Sequence, residues 1–196
     1  MNTLPSNAAL ISIDVQQAFN DPRWGQRNNP DAEAKIAALL AGWRATGRPI
    51  FHIQHRSASP SGLFRPGTPA YAHKPEGQPL AGEPVIVKSV NSSFIGTELE
   101  ARLRADGIGT LVIMGLTTDH CVSTTARMAG NFGFDTWLVA DACASFERIG
   151  PDGRHFSAEQ MHDTALASLH GEFATVVGAE EVLAALDALP KATVDH

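Results

Sequence analysis

The sequence predicts a single α/β domain in which a six-stranded parallel sheet is covered by helices on both faces. Apolar runs of strand length recur six times, and helical patterns separate most of them. Parallel strands need a crossover of about a dozen residues, usually a helix, so this alternation favours parallel pairing. The chain has 196 residues, of which 43% are hydrophobic, and this is enough to bury one core.

The predicted elements follow one another in a regular order. The first strand is the apolar run AALISI at 8–13, and the helix over 31–46 after it is closed by Gly47, a residue type common at helix ends. The other predicted strands are 49–54, 84–87, 110–115, 135–140 and 173–177. The other predicted helices are 97–106, 119–132, 158–170 and 179–188. We expect one domain over 1–196, with a frayed tail at 190–196.

One long segment interrupts the alternation of strands and helices. Residues 56–83, between the second and third strands, are rich in Pro, Gly and Ser. Loops longer than about 15 residues are uncommon in compact domains and are usually functional or mobile. We expect this loop to form a lid or wall over a site, or a subunit contact, and the alternative is a solvated insertion.

Charge and composition exclude several classes of function. The net charge is −6 and no cluster of Lys and Arg occurs, which argues against nucleic acid or a membrane surface as a partner. Two cysteines, Cys121 and Cys143, cannot make a disulfide framework. The segment MNTLPSNAALISID lacks a basic region and its apolar run is short, which favours a strand over a signal peptide or membrane span. We therefore expect a cytoplasmic protein.

Chemically active side chains stand at three strand ends. In doubly wound sheets, ligands bind beyond the carboxyl ends of the strands. Asp14 ends the first strand, Lys88 ends the third, and Cys121 follows the fourth in the segment GLTTDHC. Cys121 lies near the start of a predicted helix, with Thr118 or Asp119 as its N-cap, and the free N–H groups there stabilise a thiolate. Cys121 is therefore a candidate nucleophile, although packing is the alternative for a residue type so often buried.

The histidine spacings do not predict a metal site. His52 and His55 are three residues apart on a strand, so their side chains lie on opposite faces. His162 and His170 are eight residues apart on one predicted helix, too distant to share an ion. His120, beside the candidate thiol, is the histidine that we expect at the site, in an orienting or packing role. We expect Cys143, after the fifth strand, to be a packing residue.

Three stretches in this order resemble the isochorismatase-like cysteine hydrolases. They are LISIDVQQAF, VIVKSVNSSFIGTELE and VIMGLTTDHCVSTTARMAGNFGFDTWLVADAC. The resemblance covers nearly the whole chain, including HDTALASLHGEFATVV near its end. It implies a Rossmann-like three-layer sandwich, a homodimer or homotetramer, and a catalytic triad of Asp14, Lys88 and Cys121.

The resemblance also implies a mechanism. A non-proline cis peptide bond is expected between Leu116 and Thr117, and the backbone N–H groups of Thr117 and Cys121 would form an oxyanion hole. Asp14 would accept the thiol proton and later protonate the leaving nitrogen, while Lys88 favours the charged thiolate. The implied intermediate is a thioester acyl-enzyme that water hydrolyses.

Departures from known branches of the family narrow the substrate class. The branch that hydrolyses the vinyl ether of isochorismate usually lacks the cysteine, which is present here as Cys121. Nicotinamidases typically carry a metal site of one Asp and two His after the second strand, where this chain has HIQHRSASPSG. The resemblance thus implies hydrolysis of a C–N bond in a small amide, ureide or carbamoyl compound, with no metal or cofactor. The alternatives are isochorismate-type C–O hydrolysis and a catalytically idle member used for binding.

Polar and aromatic residues near these strand ends are candidates for substrate binding. The candidates are Gln17, Phe19, Trp24, Phe64, Tyr71, Asn91, Phe94 and His120, with Ser92 and Ser93 beside Asn91.

Overall fold

The computed structural model describes residues 4–59 and 61–187, so the predicted tail at 190–196 lies outside the described residues. The strands are β1 (Ala9–Ile13), β2 (Ile50–His55), β3 (Val85–Lys88), β4 (Thr110–Leu116), β5 (Asp135–Ala144), β6 (Arg148–Ile149), β7 (His155–Phe156) and β8 (Thr175–Val177). The helices are α1 (Ala32–Thr46), α2 (Leu99–Ala105), α3 (Ser123–Asn131), α4 (Ala158–Leu169) and α5 (Ala179–Asp187). No helix among the described residues is both long and apolar enough to cross a membrane.

The main sheet confirms the predicted architecture of six parallel strands. Its order is β3-β2-β1-β4-β5-β8, so the chain builds outward from β1 on one side and then resumes at β4 on the other. Leu10 of β1 pairs with Ile50 of β2 and with Val112 of β4. Every residue of β1 and β4 is buried, as expected for central strands of a sheet that is covered on both faces. The strand order therefore reverses between β1 and β4, where ligands bind in such folds.

Helices cover the sheet on its two faces because the side chains of each strand alternate between them. Ile11 and Ile13 of β1 join a core cluster that contains residues of α2, α3 and α4. Leu10 joins a second cluster with residues of α1 and α5. In that second cluster Trp43 is fully buried, and its indole N–H donates to the carbonyl of Ala8 at 3.0 Å. Each cluster lies between the sheet and one layer of helices, so the domain is a three-layer sandwich.

The structure departs from the predicted elements around the fourth and fifth strands. Strand β5 continues to Ala144, past the predicted end at 140, because Cys143 and Ala144 pair with Gly115 and Leu116 of β4. The Asp141 carboxylate accepts the backbone N–H of Ala179 at 2.8 Å. Antiparallel strands β6 and β7 follow, and neither was predicted. Residues Thr118–Val122 form a turn of π-helix before α3 begins.

The long loop 56–83 is held against the sheet. The Gln16 side chain donates to the carbonyls of both His55 and Tyr71, and so joins the end of β2 to the loop. Lys74, deep in the loop, is buried and places its ammonium 2.7 Å from Glu33 Oε1 at the start of α1. These contacts make the loop a wall beside the carboxyl ends of the strands.

Candidate active site

Asp14, Lys88 and Cys121 converge at the carboxyl edge of the sheet. Lys88 Nζ lies 2.7 Å from Asp14 Oδ2 and 3.2 Å from Cys121 Sγ. The side chains of the charged pair are 0% and 1% exposed. Lys88 is buried because the alternation along β3 places it on the same face as the buried Ile86, whereas Val85 and Val87 face solvent.

A backbone turn directs the Asp14 side chain to this edge. Asp14 has a φ of 51°, an uncommon conformation for which Asp is among the preferred residue types other than glycine. Its N–H still donates to the carbonyl of Ile53 in β2, and its own carbonyl accepts the N–H of Gln16 at 2.7 Å. The chain therefore leaves the strand at Asp14, with the carboxylate beside Lys88.

Burial controls the protonation of this centre. Burial raises the pKa of Asp14, while the adjacent Lys88 ammonium acts in the opposite direction. Burial also raises the pKa of the Cys121 thiol, and the nearby Asp14 charge adds to that effect. Lys88 Nζ lies 2.7 Å from Asp14 Oδ2, so the carboxylate is paired with a cation and can still accept a proton.

His55 is a fourth member of the cluster that the sequence analysis did not assign to the site. Its Nδ1 lies 3.2 Å from Lys88 Nζ, and the Val90 carbonyl is also 3.2 Å from that ammonium. Because an ammonium only donates, Nδ1 is the acceptor and the imidazole is neutral. Burial, together with Lys88, lowers the pKa of His55 to about 4. The sequence contains one signal for this role, because His55 ends its strand as Lys88 ends the next. The structure pairs the two residues in register.

A cavity of about 130 Å³ opens above Cys121. Its lining residues are Asp14, Phe19, Trp24, His55, Phe64, Asn91, Thr117, His120 and Cys121. Five of these, Phe19, Trp24, Phe64, Asn91 and His120, are among the predicted substrate-binding residues. The aromatic residues come from the segment after β1 and from the long loop, so both segments contribute to the wall.

The backbone beside Cys121 is held by polar contacts. The Leu116–Thr117 peptide bond is cis. The Thr117 carbonyl accepts the N–H groups of His120 and Val122, whereas no backbone or side-chain acceptor among residues 4–59 and 61–187 takes the Thr117 N–H. The next hydroxyl, of Thr118, lies 2.8 Å from Nδ1 of the buried His162 on α4. His162 thus fixes the turn that carries Cys121.

Comparison with known proteins identifies the family. The family model of the isochorismatase domain matches residues 8–181. The chain belongs to the isochorismatase family of hydrolases. It is 47% identical to the uncharacterized isochorismatase family protein YrdC of Bacillus subtilis (strain 168) over 175 residues, which are 89% of this chain and 94% of that protein. It is 27% identical to the maleamate amidohydrolase of Pseudomonas putida over 192 residues, which are 89% of this chain and 84% of the relative.

A solved structure of the isochorismatase family has the same fold. The crystal structure of a family protein from Chromobacterium violaceum ATCC 12472 superimposes with a TM-score of 0.93 at 46% identity. The match covers 96% of this chain and all of that one. The resemblance to this family that the sequence motifs indicated is therefore confirmed.

Three predicted substrate-binding residues of this isochorismatase-family chain lie away from the cavity. Phe94 is buried in the core and stacks on Phe134, because the chain after β3 turns toward α3. Gln17 and Phe19 share a short 3₁₀ turn that directs them apart, so Gln17 lines a separate polar cavity. Tyr71 joins the loop to the sheet through its carbonyl, which accepts hydrogen bonds from two glutamine side chains.

The two serines after Lys88 also have a structural role in place of lining the cavity. Ser93 is fully buried, and its hydroxyl lies 2.9 Å from the Thr125 hydroxyl of α3. The Ser92 hydroxyl accepts the N–H of Phe94. These contacts join the segment after β3 to the helix that follows Cys121.

One part of this isochorismatase-family site has the ligand types of a metal centre. One atom each of Asp14, His55 and Cys121 lie within 4.8 Å of one another, and carboxylate, imidazole and thiolate are all zinc ligands. The Lys88 ammonium, however, lies within 3.2 Å of an atom of each of the three. The positive charge among these ligands is therefore supplied by the protein itself.

Proposed function

We propose that this isochorismatase-family hydrolase cleaves the C–N bond of a small amide, ureide or carbamoyl compound through a thioester on Cys121. The observation that carries the proposal is the position of the Lys88 ammonium, 2.7 Å from Asp14 and 3.2 Å from Cys121. One cation thus contacts both the group that would accept a proton and the group that would lose it.

In the first step the Cys121 thiol gives its proton to the Asp14 carboxylate. Negative charge moves from oxygen to sulfur, and Lys88 stabilises it in both places without moving. Burial raises the pKa of Asp14, which makes it a stronger base than an exposed aspartate. The sulfur then attacks the carbonyl carbon, an S–C bond forms, and the electron pair of the C=O bond moves to oxygen.

The negative oxygen needs donors, and the backbone N–H groups of Thr117 and Cys121 are the candidates. Thr117 lines the cavity, and its N–H has no acceptor within the described part of the chain. One such donor is typically worth about 2.7–4 kcal/mol in the transition state. Asp14 returns its proton to the leaving nitrogen, the C–N bond breaks, and the thioester remains.

Water completes the cycle. Asp14, again a carboxylate, takes a proton from the water that attacks the thioester, and the acid leaves as the C–S bond breaks and the sulfur regains a proton. The similarity to a protein named maleamate amidohydrolase supports amide chemistry on this scaffold. The presence of Cys121 in the cavity supports the thioester route over a route without a nucleophile.

A trapping experiment tests the proposal. Small primary amides, ureides and carbamoyl compounds are incubated with the protein, ammonia is measured, and quenched samples are analysed by intact mass spectrometry. We expect ammonia release and a Cys121 adduct whose mass equals the substrate minus ammonia. Isochorismate consumption that survives Cys121→Ala, without any ammonia from the panel, would instead establish C–O hydrolysis. An iodoacetamide-resistant Cys121 with no turnover of either kind would indicate a binding protein.

A further inference from the structure

A buried polar network joins α4 to the turn that carries Cys121. His162 of α4 is 4% exposed, and its Nδ1 lies 2.8 Å from the hydroxyl oxygen of Thr118. Its Nε2 lies 3.4 Å from the side-chain nitrogen of Asn29, in the segment before α1. Thr118 is fully buried and begins the turn of π-helix, three residues before Cys121. Both ring nitrogens of His162 therefore contact polar side chains, and one of these belongs to the turn of the candidate nucleophile.

Two carbonyl groups of β5 fix the orientation of the Asn29 side-chain amide. Its nitrogen donates to the carbonyl of Cys143 at 2.8 Å and to that of Ala140 at 3.2 Å. If the amide oxygen and nitrogen exchanged places, the oxygen would lie against these two acceptors, so the nitrogen must face them and His162. Asn29 has a φ of 43°, a left-handed conformation in which Asn is one of the enriched residue types. The backbone and β5 together thus direct the Asn29 amide nitrogen toward the imidazole.

The contact with Asn29 determines which nitrogen of His162 carries the hydrogen. An amide nitrogen donates and does not accept, so a hydrogen on Nε2 would meet the hydrogens of the Asn29 amide. Nε2 therefore presents its lone pair, and the neutral imidazole has its single N–H at Nδ1. That N–H donates to the Thr118 hydroxyl oxygen at 2.8 Å. Burial lowers the pKa of His162, which favours this neutral form.

We propose that Asn29 and His162 are positioning residues for Cys121. Asn29 holds the imidazole in its Nδ1–H form, and the Nδ1–H donates to Thr118 at the start of the turn. This hydrogen bond keeps the turn, and with it the thiol, in place beside Lys88. None of Asn29, Thr118 and His162 is among the described residues that line the cavity, so their effect on the reaction passes through the turn. The inference rests on the proposed function, because it takes Cys121 as the nucleophile.

The tautomer of His162 can be measured in the parent protein without any turnover. Long-range ¹H–¹⁵N NMR correlation of the ¹⁵N-labelled protein distinguishes a protonated ring nitrogen from a bare one by its ¹⁵N shift. We expect the resonances of His162, assigned by their loss in a His162 variant, to show a protonated Nδ1 and a bare Nε2 at neutral pH. Asn29→Gly keeps the left-handed backbone and removes the amide, so signals of both tautomers should appear. A protonated Nε2 in the parent protein would overturn the inference.

Two substitutions at His162 separate its two contacts. The side-chain amide of Asn occupies the position of Nδ1, and that of Gln occupies the position of Nε2. His162→Asn can still donate to Thr118, and we expect it to keep kcat and the rate of Cys121 alkylation by iodoacetamide within about threefold of the parent. His162→Gln loses that donor and should lower both rates at least about tenfold, the factor expected for one hydrogen bond. KM should stay as in the parent in both variants, because His162 does not line the cavity.

His170→Gln is the matched control, because His170 follows the same helix and its Nδ1 accepts the N–H of Val176 instead of contacting the turn. It should alkylate and turn over like the parent. Equal rates in His162→Asn and His162→Gln would overturn the positioning role. If a variant does not fold, as thermal unfolding would show, the tautomer in the parent still supports or overturns the inference. The expected order of alkylation rates without ammonia release from any amide would refute the proposed function and leave the positioning of the Cys121 thiol established.

Discussion

The Nζ atom of Lys88 lies 3.2 Å from Nδ1 of His55, and this contact gives the ammonium a neutral acceptor beside its two reactive ones. Lys88 has three N–H bonds but four acceptors, which are Asp14, His55, Cys121 and the Val90 carbonyl. In the proposed mechanism, negative charge moves from Asp14 to Cys121, so the hydrogen bonds of Lys88 to these two groups would change in strength while those to His55 and Val90 would not. We therefore predict that His55 acts as a positioning residue, which holds the ammonium between Asp14 and Cys121.

Replacing His55 should slow the reaction through Lys88. We expect His55→Leu to lower kcat about tenfold or more, because a hydrogen bond to a charged group is worth about 1.5–3 kcal/mol. His55→Asn retains an acceptor near the position of Nδ1 and should recover most of the rate. The pH profile of Cys121 alkylation by iodoacetamide provides a readout that a purely structural role would leave unchanged.

A second histidine of the cavity serves as the control for this experiment. His120 lines the same cavity, and among the described residues its side chain contacts Asp119 without contacting Lys88. His120→Leu should leave the alkylation profile as in the parent protein. If His55→Leu alkylates and turns over like the parent, the positioning role is wrong.

The two cysteines should behave differently. Cys121 lines the cavity and is 9% exposed, whereas Cys143 is fully buried and its burial raises its pKa to about 12. Iodoacetamide should label Cys121 alone in the native protein, as peptide mass spectrometry would show. Cys121→Ser should lower turnover at least about 10³-fold without unfolding the protein, whereas Cys143→Ala should remain active. Activity in Cys121→Ser near that of the parent would remove the nucleophile from the mechanism.

Removing Lys88 should affect both turnover and stability, and the stability effect should depend on pH. Lys88→Met leaves the Asp14 carboxylate buried without its cation, a situation that costs about 3–5 kcal/mol when the charge cannot be neutralised. The pKa of Asp14, already raised by burial, then rises further because its opposing partner is gone. Asp14 in the folded variant therefore takes up a proton more readily than Asp14 in the unfolded chain. The loss of unfolding free energy relative to the parent should consequently shrink as the pH falls.

Urea unfolding at pH 8 and pH 5 measures that deficit. We expect a smaller difference between Lys88→Met and the parent at pH 5 than at pH 8, and no measurable turnover at either pH. An equal deficit at both pH values would mean that Asp14 does not carry the unpaired charge.

The strand ends were predictable from the sequence because alternation and strand length are local properties. Asp14, Lys88 and Cys121 could be placed at one edge once the strands were known to be parallel. His55 was not predictable as a site residue from its spacing to His52, because its partner is a lysine on the neighbouring strand. Pairing between strands depends on register, and register is not a property of either segment alone.

Side-chain directions in irregular segments were the least predictable part of the site. Phe19 and Gln17 are two residues apart, yet only Phe19 lines the cavity, because a 3₁₀ turn separates their directions. Phe94 follows Lys88 closely but packs in the core, where its ring meets Phe132 and Phe134. The first outcome depends on the geometry of an irregular turn and the second on tertiary packing, and composition and spacing predict neither.

Chelation should leave the activity unchanged. The atoms of Asp14, His55 and Cys121 that could bind a metal surround the Lys88 ammonium, so a second cation would have to displace a buried, paired charge. Dialysis against EDTA, followed by ammonia-release assays and elemental analysis, measures this directly. Loss of activity that returns with a stoichiometric divalent metal would contradict the role given to Lys88.

Glu83 should make the fold sensitive to acid at the far end of the long loop. Its carboxylate lies 2.7 Å from Arg44 Nε on α1 and 2.7 Å from His52 Nε2 on β2. Hydrogen bonds from Arg44 lower the pKa of Glu83 to about 2, below the usual value of 4.5. Glu83 therefore binds a proton more readily in the unfolded chain than in the folded protein. The stabilisation that the Glu83 carboxylate contributes is complete above pH 4.5 and is lost as the pH falls toward 2.

Glu83→Gln removes that contribution and should lower the free energy of unfolding by about 2 kcal/mol at pH 7, after allowance for solvent screening. The difference from the parent should narrow when urea unfolding, followed by the fluorescence of the buried Trp43, is repeated at pH 3.5. Glu180→Gln, on the exposed face of α5, is the matched control and should follow the parent at both pH values. A Glu83→Gln deficit that stays constant from pH 7 to pH 3.5 would show that the loss arises from packing, because only the ionised carboxylate gives a contribution that acid removes.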